Sequence, residues 1–327
     1  QAAAPNTTMT NPLPVEIRPY QPGDEPAVLA LLQASLGWVP DDDYRRFFRW
    51  KHSENPFGVS PAWVATVGDT LAGFRVLLRW EFTYAGAPVR AVRAVDTATH
   101  PEFQGRGIFS KLTRHALAEI EDDGVGFVFN TPNEQSRPGY LKMGWQIVER
   151  VPIALRVTSP AALARTARAR VAAEKWSQPA TAGLALVAKL LASQPAPGGL
   201  STHRTPEFLA WRYGFDSLHY RAIPATPSLE DGFAIVRMRR RGRALEATVA
   251  DVLVAGGRDD LDAAALRRAA RVTGADYALA AARTRPRGSH YVPLPRQGPT
   301  LVWRAAARKD APPAAAWRLT LGDIELF

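Results

Sequence analysis

The sequence predicts an α/β (α+β) fold in which helices pack on a sheet. Strand-like and helix-like segments alternate along the first half of the chain. A glycine-rich loop separates a predicted strand from a predicted helix. The elements of the first part recur in the same order in the last third, which indicates a duplicated fold.

The composition of the 327-residue chain is that of a globular protein with about two domains. The absence of cysteine excludes disulfides, thiolate metal sites and a cysteine nucleophile. No apolar run reaches the ~18 residues of a membrane span. We therefore expect a cytoplasmic protein. The six histidines are dispersed, so we expect no metal site. The formal charge of +10 favours anionic ligands, but the arginines are scattered and we do not expect nucleic-acid binding.

Periodicity places the elements of the first part of the chain. Apolar residues recur at helical spacing between Val28 and Leu36, which predicts a helix beginning near Asp24. A second helix over 41–50 opens with acidic residues, which suit a helix N-terminus. The predicted strands are 15–19, 62–67, 73–84, 89–99, 126–130 and 146–157, with a third helix over 110–122.

Echoes between the two ends of the chain predict its domain organisation. The segment Phe47–His52 is echoed by Phe208–Tyr213, and the strand start Gly73-Phe74 by Gly232-Phe233. Proline and glycine residues near 195–199 mark a boundary between the two parts. The predicted regions are a disordered 1–14, a first domain over 15–157, a helical linker over 158–200 and a second domain over 201–327.

The segment between the fourth predicted strand and the third helix predicts a phosphate-binding loop. A helix N-terminus leaves backbone N–H groups unpaired, and its dipole favours negative charge. Gly105 and Gly107 lack a Cβ, which lets a pyrophosphate approach the backbone. The alternative is an ordinary turn, and neither the G-x-G-x-x-G nor the P-loop pattern is met. The residues expected at the pyrophosphate are Gln104, Gly105, Arg106, Gly107, Ile108, Phe109 and Ser110.

Two motifs resemble those of the GNAT superfamily of N-acyltransferases. Gln104 and Gly107 fit its Q/R-x-x-G-x-G/A loop, with Phe109 in place of the usual small last residue. Residues 133–145 resemble its N-x-x-A/S-x-x-x-Y-x-x-x-G-F/W signature. The resemblance covers residues 15–157. It implies a mixed, mostly antiparallel sheet flanked by helices, and acetyl-coenzyme A or another acyl-coenzyme A as co-substrate.

The resemblance also implies roles for individual residues. In this family the strand before the loop splays from its neighbour, and the pantetheine arm pairs with its exposed backbone. Here Val95, Thr97 and Thr99 lie on that strand and are expected to contact the co-substrate. Asn133 is expected to hydrogen-bond the arm. Tyr140 is expected to protonate the departing thiolate as general acid, the alternative being simple packing at a helix end.

The identity of the general base stays open between several groups. Asp96 on the same strand is the leading candidate, and a salt bridge to Arg90 or Arg93 is its alternative role. Glu81 is the second candidate. The C-terminal carboxylate of Phe327, or a water molecule within reach of the amine, is a further one.

These features predict an N-acetyltransferase that moves an acetyl group to a primary amine of a small molecule. Transfer of a longer acyl chain, acyl-coenzyme A sensing without turnover, and modification of a protein or nucleic acid are the competing interpretations. A homodimer is left open. The counterpart of the loop, Asp251–Gly257, has no Gln/Arg-x-x-Gly pattern. We therefore expect the second unit to be a degenerate copy that shapes a pocket or an interface.

Overall fold

Two mixed sheets organise the chain. A computed structural model describes residues 14–37, 42–167, 174–175, 183–283, 285–306 and 312–324. The predicted disorder of the N-terminus falls on residues that, except for Pro14, lie outside these ranges.

The helices and strands follow one another in two comparable series. The first part contains β1 (Val15–Pro19), α1 (Glu25–Leu36), α2 (Asp42–His52), β2 (Ala62–Val67), β3 (Thr70–Tyr84), β4 (Ala87–Thr99), α3 (Ile108–Ile120), β5 (Phe127–Asn130), α4 (Arg137–Lys142) and β6 (Gln146–Arg150). The remainder contains β7 (Ile153–Val157), α5 (Pro160–Ala167), β8 (Glu174–Lys175), α6 (Leu184–Ala192), β9 (Ser201–Thr202), α7 (Pro206–Gly214), β10 (Tyr220–Pro224), β11 (Gly232–Arg241), β12 (Ala244–Val254), α8 (Asp259–Val272), β13 (Tyr277–Ala281), β14 (Val292–Leu294), β15 (Thr300–Ala305) and α9 (Leu321–Ile324).

Strand order is similar in the two sheets. The first sheet runs β1-β2-β3-β4-β5-β15-β6, with β9 also pairing with β3, and the second runs β10-β11-β12-β13-β7-β14, with β8 pairing with β11. In the described part of the chain, β4 with β5 and β12 with β13 are parallel and the other strand pairs are antiparallel. The predicted mixed, mostly antiparallel α/β fold is confirmed, and the two sheets fit a duplication.

The segment predicted as one strand over 146–157 is two strands in different sheets. β6 lies at the edge of the first sheet, whereas β7 pairs with β13 and β14 of the second. Val151 and Pro152 separate the strands, and proline cannot donate a ladder hydrogen bond. In exchange, β15 enters the first sheet between β5 and β6. The predicted boundaries at 157 and 201 therefore do not separate the two sheets strand by strand.

Helix α3 lies against the first sheet and carries the end of the glycine-rich loop. Its buried residues fall on one face at helical spacing, which is the pattern of a helix packed on a sheet. Gly73 on β3 permits the close approach, because a Cβ there would lie 2.6 Å from Ile108 Cγ2. The start of α3 is thus held at a defined height above the sheet.

Candidate active site

A cavity of about 590 Å³ opens where β4 and β5 separate. The strands pair only at three positions, where Ala91–Arg93 lie beside Phe127–Phe129. β4 then continues to Thr99 without β5 as a partner, which leaves part of its backbone facing the gap. The cavity is lined by Leu36, Phe47, Lys51, Ala94, Val95, Asp96, Thr97, Phe109, Asn130, Thr131, Pro132, Asn133, Glu134, Ser136, Arg137, Tyr140, Arg150, Gly298, Pro299 and Thr300.

A bulge in β4 sets the direction of the Asp96 side chain. Phe74 pairs with Ala98 and Val76 with Val95, so two residues of β4 face one residue of β3. Asp96 has a φ of 41°, a left-handed conformation that is uncommon outside glycine. The bulge turns the carboxylate toward helix α2.

The Asp96 carboxylate is bound by two consecutive residues of α2. Its Oδ2 atom lies 2.8 Å from Lys51 Nζ and 2.9 Å from His52 Nε2, and His52 Nδ1 lies 3.1 Å from Ser60 Oγ. Burial alone would raise the pKa of Asp96, but attraction to Lys51 and the hydrogen bond with His52 hold that pKa well below its usual range. Asp96 therefore stays ionised at neutral pH.

The salt-bridge partner of Asp96 is Lys51 rather than either predicted arginine. Arg93 instead donates from Nη1 and Nη2 to the backbone carbonyls of Asp323 and Ile324, at 2.8 and 2.5 Å. Burial lowers the pKa of Lys51 even though Asp96 favours its charged form.

Tyr140 packs in the protein interior and also borders the cavity. It is 4% exposed and its ring packs edge-on against Phe109, with centroids 5.4 Å apart. Its hydroxyl accepts a hydrogen bond from Arg75 Nη1 at 2.9 Å. The residue also lines the cavity. Phe109, which departs from the usual small residue of the loop motif, thus supports Tyr140 from the side.

Two asparagines stand on the β5 side of the cavity. Asn133 Oδ1 accepts from the backbone N–H and the hydroxyl of Ser136, both at 2.8 Å, and so shapes the turn before α4. Its amide nitrogen makes no hydrogen bond with the described residues. Asn130 is 3% exposed, and its Oδ1 has no hydrogen-bond partner among them. Asn130 was not among the residues predicted from the sequence, although a polar residue that ends an apolar strand is a usable signal.

The glycine-rich loop has the form of an anion cradle. Gly105 and Gly107 have φ values of 76° and 73°, and no atom lies within 4 Å of a Cβ built on either. The first intrahelical bond runs from Lys111 N to Gly107 O, and no side chain caps this N-terminus. Within the described residues, the N–H groups of Ile108, Phe109 and Ser110 have no backbone acceptor, so they can donate to a ligand. Of the expected loop residues, only Phe109 lines the cavity.

Comparison with known proteins identifies the domain. Residues 16–148 match the family model described as an acetyltransferase (GNAT) domain, and this stretch includes the loop, β4 and Tyr140. Residues 16–148 of this chain are a GNAT acetyltransferase domain. The chain therefore contains an acetyltransferase domain and is a transferase enzyme. No curated protein matches the sequence.

Solved structures share the fold over most of the chain. A conserved protein of Enterococcus faecalis V583, described as a probable N-acyltransferase, superposes with a TM-score of 0.64 at 12% identity over 90% of this chain and 73% of its own. A GCN5-related N-acetyltransferase from Anabaena variabilis gives 0.61 at 14% identity, over 90% and 73%. One from Kribbella flavida gives 0.55 at 15%, over 90% and 72%. The fold shared with these structures thus extends beyond residue 148.

The other base candidates lie away from the cavity between β4 and β5, here called the GNAT cavity, or beyond the described residues. Glu81 on β3 bonds to His203 and lines a different cavity, with Arg79 and Arg90. The structure therefore does not bring Glu81 together with Tyr140. Phe327 lies outside the described residues, and Thr99 does not line the GNAT cavity.

The second unit has a cavity of about 540 Å³ on β12 and β13, but its loop differs from that of the GNAT domain. A Cβ on Gly257 would lie 2.6 Å from Pro195 Cδ, so the space above this glycine is filled. The first turn of α8 carries Asp259, Asp260 and Asp262, whose charge opposes an anion. Both features disfavour a pyrophosphate there.

The described part of the chain was also compared with the requirements of a membrane span and of a metal site. Within those ranges, no helix combines the length and apolar character of a membrane span. No group of three or more His, Asp or Glu side chains is arranged there to hold a metal ion.

Proposed function

We propose that this chain transfers an acetyl group from acetyl-coenzyme A to a primary amine of a small molecule, with Tyr140 as general acid. The observation that carries the proposal is the position of Tyr140. Its hydroxyl-bearing side chain lines the same cavity as the part of β4 that is no longer paired with β5. A thioester lying along β4 would therefore meet this phenol.

Donor binding follows from the loop and the open strand. The pyrophosphate would lie on the N–H groups at the start of α3, above Gly105 and Gly107. The pantetheine arm would add to β4 as an extra strand. Asn130 Oδ1 and the amide nitrogen of Asn133 suit the amide groups of that arm, because neither has a hydrogen-bond partner among the described residues. The thioester would then lie near Val95 and Thr97.

The acceptor enters from the side of α1 and α2. Leu36, Phe47 and Lys51 line this part of the cavity. A neutral amine attacks the thioester carbon, the new C–N bond forms, and the C–S bond breaks. Tyr140 gives its proton to the departing sulfur. The ionised Asp96 can accept a hydrogen bond from the incoming amine and orient it, although a carboxylate with so low a pKa is a weak base.

Calorimetric titration with acetyl-coenzyme A, octanoyl-coenzyme A and free coenzyme A tests the donor site. We expect both acetyl-coenzyme A and free coenzyme A to bind with micromolar affinity. Preference for the octanoyl form would favour the alternative of long-chain transfer. Absence of binding to all three would contradict a functional loop.

Turnover with a panel of primary amines tests the chemistry. Tyr140→Phe is expected to lower the rate of coenzyme A release about 100-fold or more, with little change in acetyl-coenzyme A affinity. Tyr291→Phe is the matched control, because Tyr291 is also buried but donates to Leu266 O in the second unit. Binding without release by any amine would favour the sensor alternative. Equal rates for Tyr140→Phe and the wild type would exclude the acid role.

A further inference from the structure

Arg75 is a buried arginine directly beneath the candidate acid. It lies in the middle of β3 and is 0% exposed. Its Nη1 donates to Tyr140 Oη at 2.9 Å and to Thr97 Oγ1 at 2.5 Å. The guanidinium carbon lies 5.5 Å from the centroid of the Tyr140 ring and 5.9 Å from that of Phe109. Arg75 was not among the residues predicted from the sequence, although it interrupts an apolar strand.

The charge of Arg75 is not compensated within the described part of the chain. Its Nε and Nη2 atoms are buried and have no hydrogen-bond partner there, and no carboxylate forms an ion pair with it. Burying an unpaired cation costs several kcal/mol. Packing alone would be served better by an apolar side chain, as at its neighbours Phe74 and Val76. This energetic cost indicates that Arg75 has a function at the adjoining cavity.

The hydrogen bond from Arg75 determines where the hydroxyl hydrogen of Tyr140 can point. A guanidinium has donors and no acceptor. The phenol oxygen must therefore accept from Arg75, and the phenol's own hydrogen is left to point elsewhere. The same guanidinium holds Thr97, whose hydroxyl donates to Val95 O at 3.3 Å. Arg75 thus connects the acid to the bulge of β4.

We propose that Arg75 is a positioning residue that aims the Tyr140 proton into the cavity and stabilises the phenolate left after proton transfer. This inference rests on the proposed function. As the C–S bond breaks, the sulfur takes the Tyr140 proton and becomes the thiol of coenzyme A. The negative charge then lies on the phenol oxygen, 2.9 Å from Arg75 Nη1. The excess proton of the acylated nitrogen leaves to solvent, and solvent reprotonates Tyr140.

A double-mutant cycle on the full chain tests this coupling. The variants are Arg75→Met, Tyr140→Phe and their combination, assayed with acetyl-coenzyme A and whichever amine the wild type acetylates. Release of coenzyme A is followed with a thiol reagent, which is free of protein background because the chain has no cysteine. Arg75→Met is expected to lower kcat about 10- to 100-fold, the effect of losing one charged hydrogen bond. In the Tyr140→Phe background it should change kcat less than about threefold.

Two further measurements separate positioning from a structural role. Arg75→Lys should recover part of kcat, because it returns the charge without the fork geometry. The thermal midpoint of Arg75→Met should be unchanged or raised, since the variant removes an unpaired buried charge. Arg93→Met is the control: it removes a buried arginine with carbonyl partners, so it should lower the midpoint and combine additively with Tyr140→Phe.

The failure of the inference differs from the failure of the proposed function. Additive effects of Arg75→Met and Tyr140→Phe in an active wild type would overturn the inference alone. So would a kcat for Arg75→Met equal to that of the wild type. A wild type that releases no coenzyme A with any amine would overturn the proposed function, and the inference with it.

Discussion

Trp50 and Trp211 exchange reciprocal hydrogen bonds. The indole Nε1 of Trp50 donates to the backbone carbonyl of Trp211 at 2.9 Å, and Nε1 of Trp211 donates to the carbonyl of Trp50 at 2.8 Å. The two rings stack with centroids 5.1 Å apart. Such an exchange between equivalent atoms is the mark of a two-fold relationship. It joins helices α2 and α7, whose sequences echo each other.

The same relationship extends to the carboxylates of the two units. Asp96 lies three residues before Thr99, the partner of Gly73, and Asp251 lies three residues before Val254, the partner of Gly232. The residue after Lys51 is His52, at 2.9 Å from Asp96. Its echo is Tyr213, whose hydroxyl lies 3.2 Å from Asp251 Oδ2. The two units therefore share a strand-to-helix contact whose chemistry differs between them.

Trp50→Phe and Trp211→Phe are each expected to lower the free energy of unfolding by about 1–3 kcal/mol, because each leaves a buried carbonyl without a donor. The two effects should not be additive, since the rings also share their stacking contact. Urea denaturation followed by circular dichroism measures both. Trp303→Phe is the control, because its buried Nε1 has no partner among the described residues. A larger loss for Trp303→Phe would contradict this explanation.

Gly107→Val is expected to abolish acetyl-coenzyme A binding, because its side chain would occupy the open space above the loop. Gly86→Val is a close control. Gly86 has a φ of 78° and equally open surroundings, but it lies in the hairpin turn between β3 and β4. Both variants pay a similar backbone strain of about 1–2 kcal/mol. Calorimetry should show lost binding for Gly107→Val alone, and normal binding by it would argue against the cradle.

Gly73→Ala tests how closely α3 must approach the sheet. The added Cβ would meet Ile108 Cγ2 at 2.6 Å and Leu112 Cδ1 at 2.9 Å, so α3 must move outward. We expect a loss of about 1–3 kcal/mol in stability and a weaker affinity for acetyl-coenzyme A. Gly23→Ala, which has open space and no unusual φ, should leave both quantities unchanged. Unchanged affinity in Gly73→Ala would mean that the loop does not depend on this spacing.

Asp96→Asn is expected to destabilise the protein at pH 7 by about 3 kcal/mol, because Lys51 loses its buried counter-ion. The folded-state pKa of Asp96 lies below its unfolded value. Its contribution is therefore complete above the ordinary carboxyl pKa of about 3.9 and is lost as the pH falls below it.

Unfolding curves from pH 7 down to pH 3 should show the difference between wild type and Asp96→Asn shrinking. Asp69→Asn, at an exposed turn, should match the wild type throughout. A difference that stays constant with pH would contradict the ion pair as the source of the stability.

Asn130→Leu should weaken acetyl-coenzyme A binding about 3- to 10-fold while leaving stability unchanged or improved. The reason is that the wild-type Oδ1 is buried without a partner among the described residues, and we expect the ligand to supply a donor. Asn55→Leu is the contrasting case, because both ends of the Asn55 amide are already bonded, to Arg79 O and Phe57 N. It should lose stability and retain binding. The opposite pattern would remove Asn130 from the donor site.

Local signals in the sequence determined the elements, the loop and the second motif. Helical and strand spacing, a glycine that must take a positive φ, and an uncapped helix start all depend on residues close together in the chain. For this reason, the sequence was sufficient to predict the fold class, the GNAT resemblance and the echo between α2 and α7. The prediction of a single strand over 146–157 was wrong because periodicity indicates a strand and not the sheet to which it belongs.

Tertiary structure alone decided which side chains meet. Arg75 and Tyr140 are 65 residues apart, and His52 and Asp96 are 44 apart. The bulge of β4 turned Asp96 toward Lys51 instead of toward the neighbouring arginines, and Glu81 was carried to another cavity. The exchange of β7 and β15 also depends on pairing between distant segments. Such contacts depend on strand register and on the packing of whole elements, which no short stretch of sequence encodes.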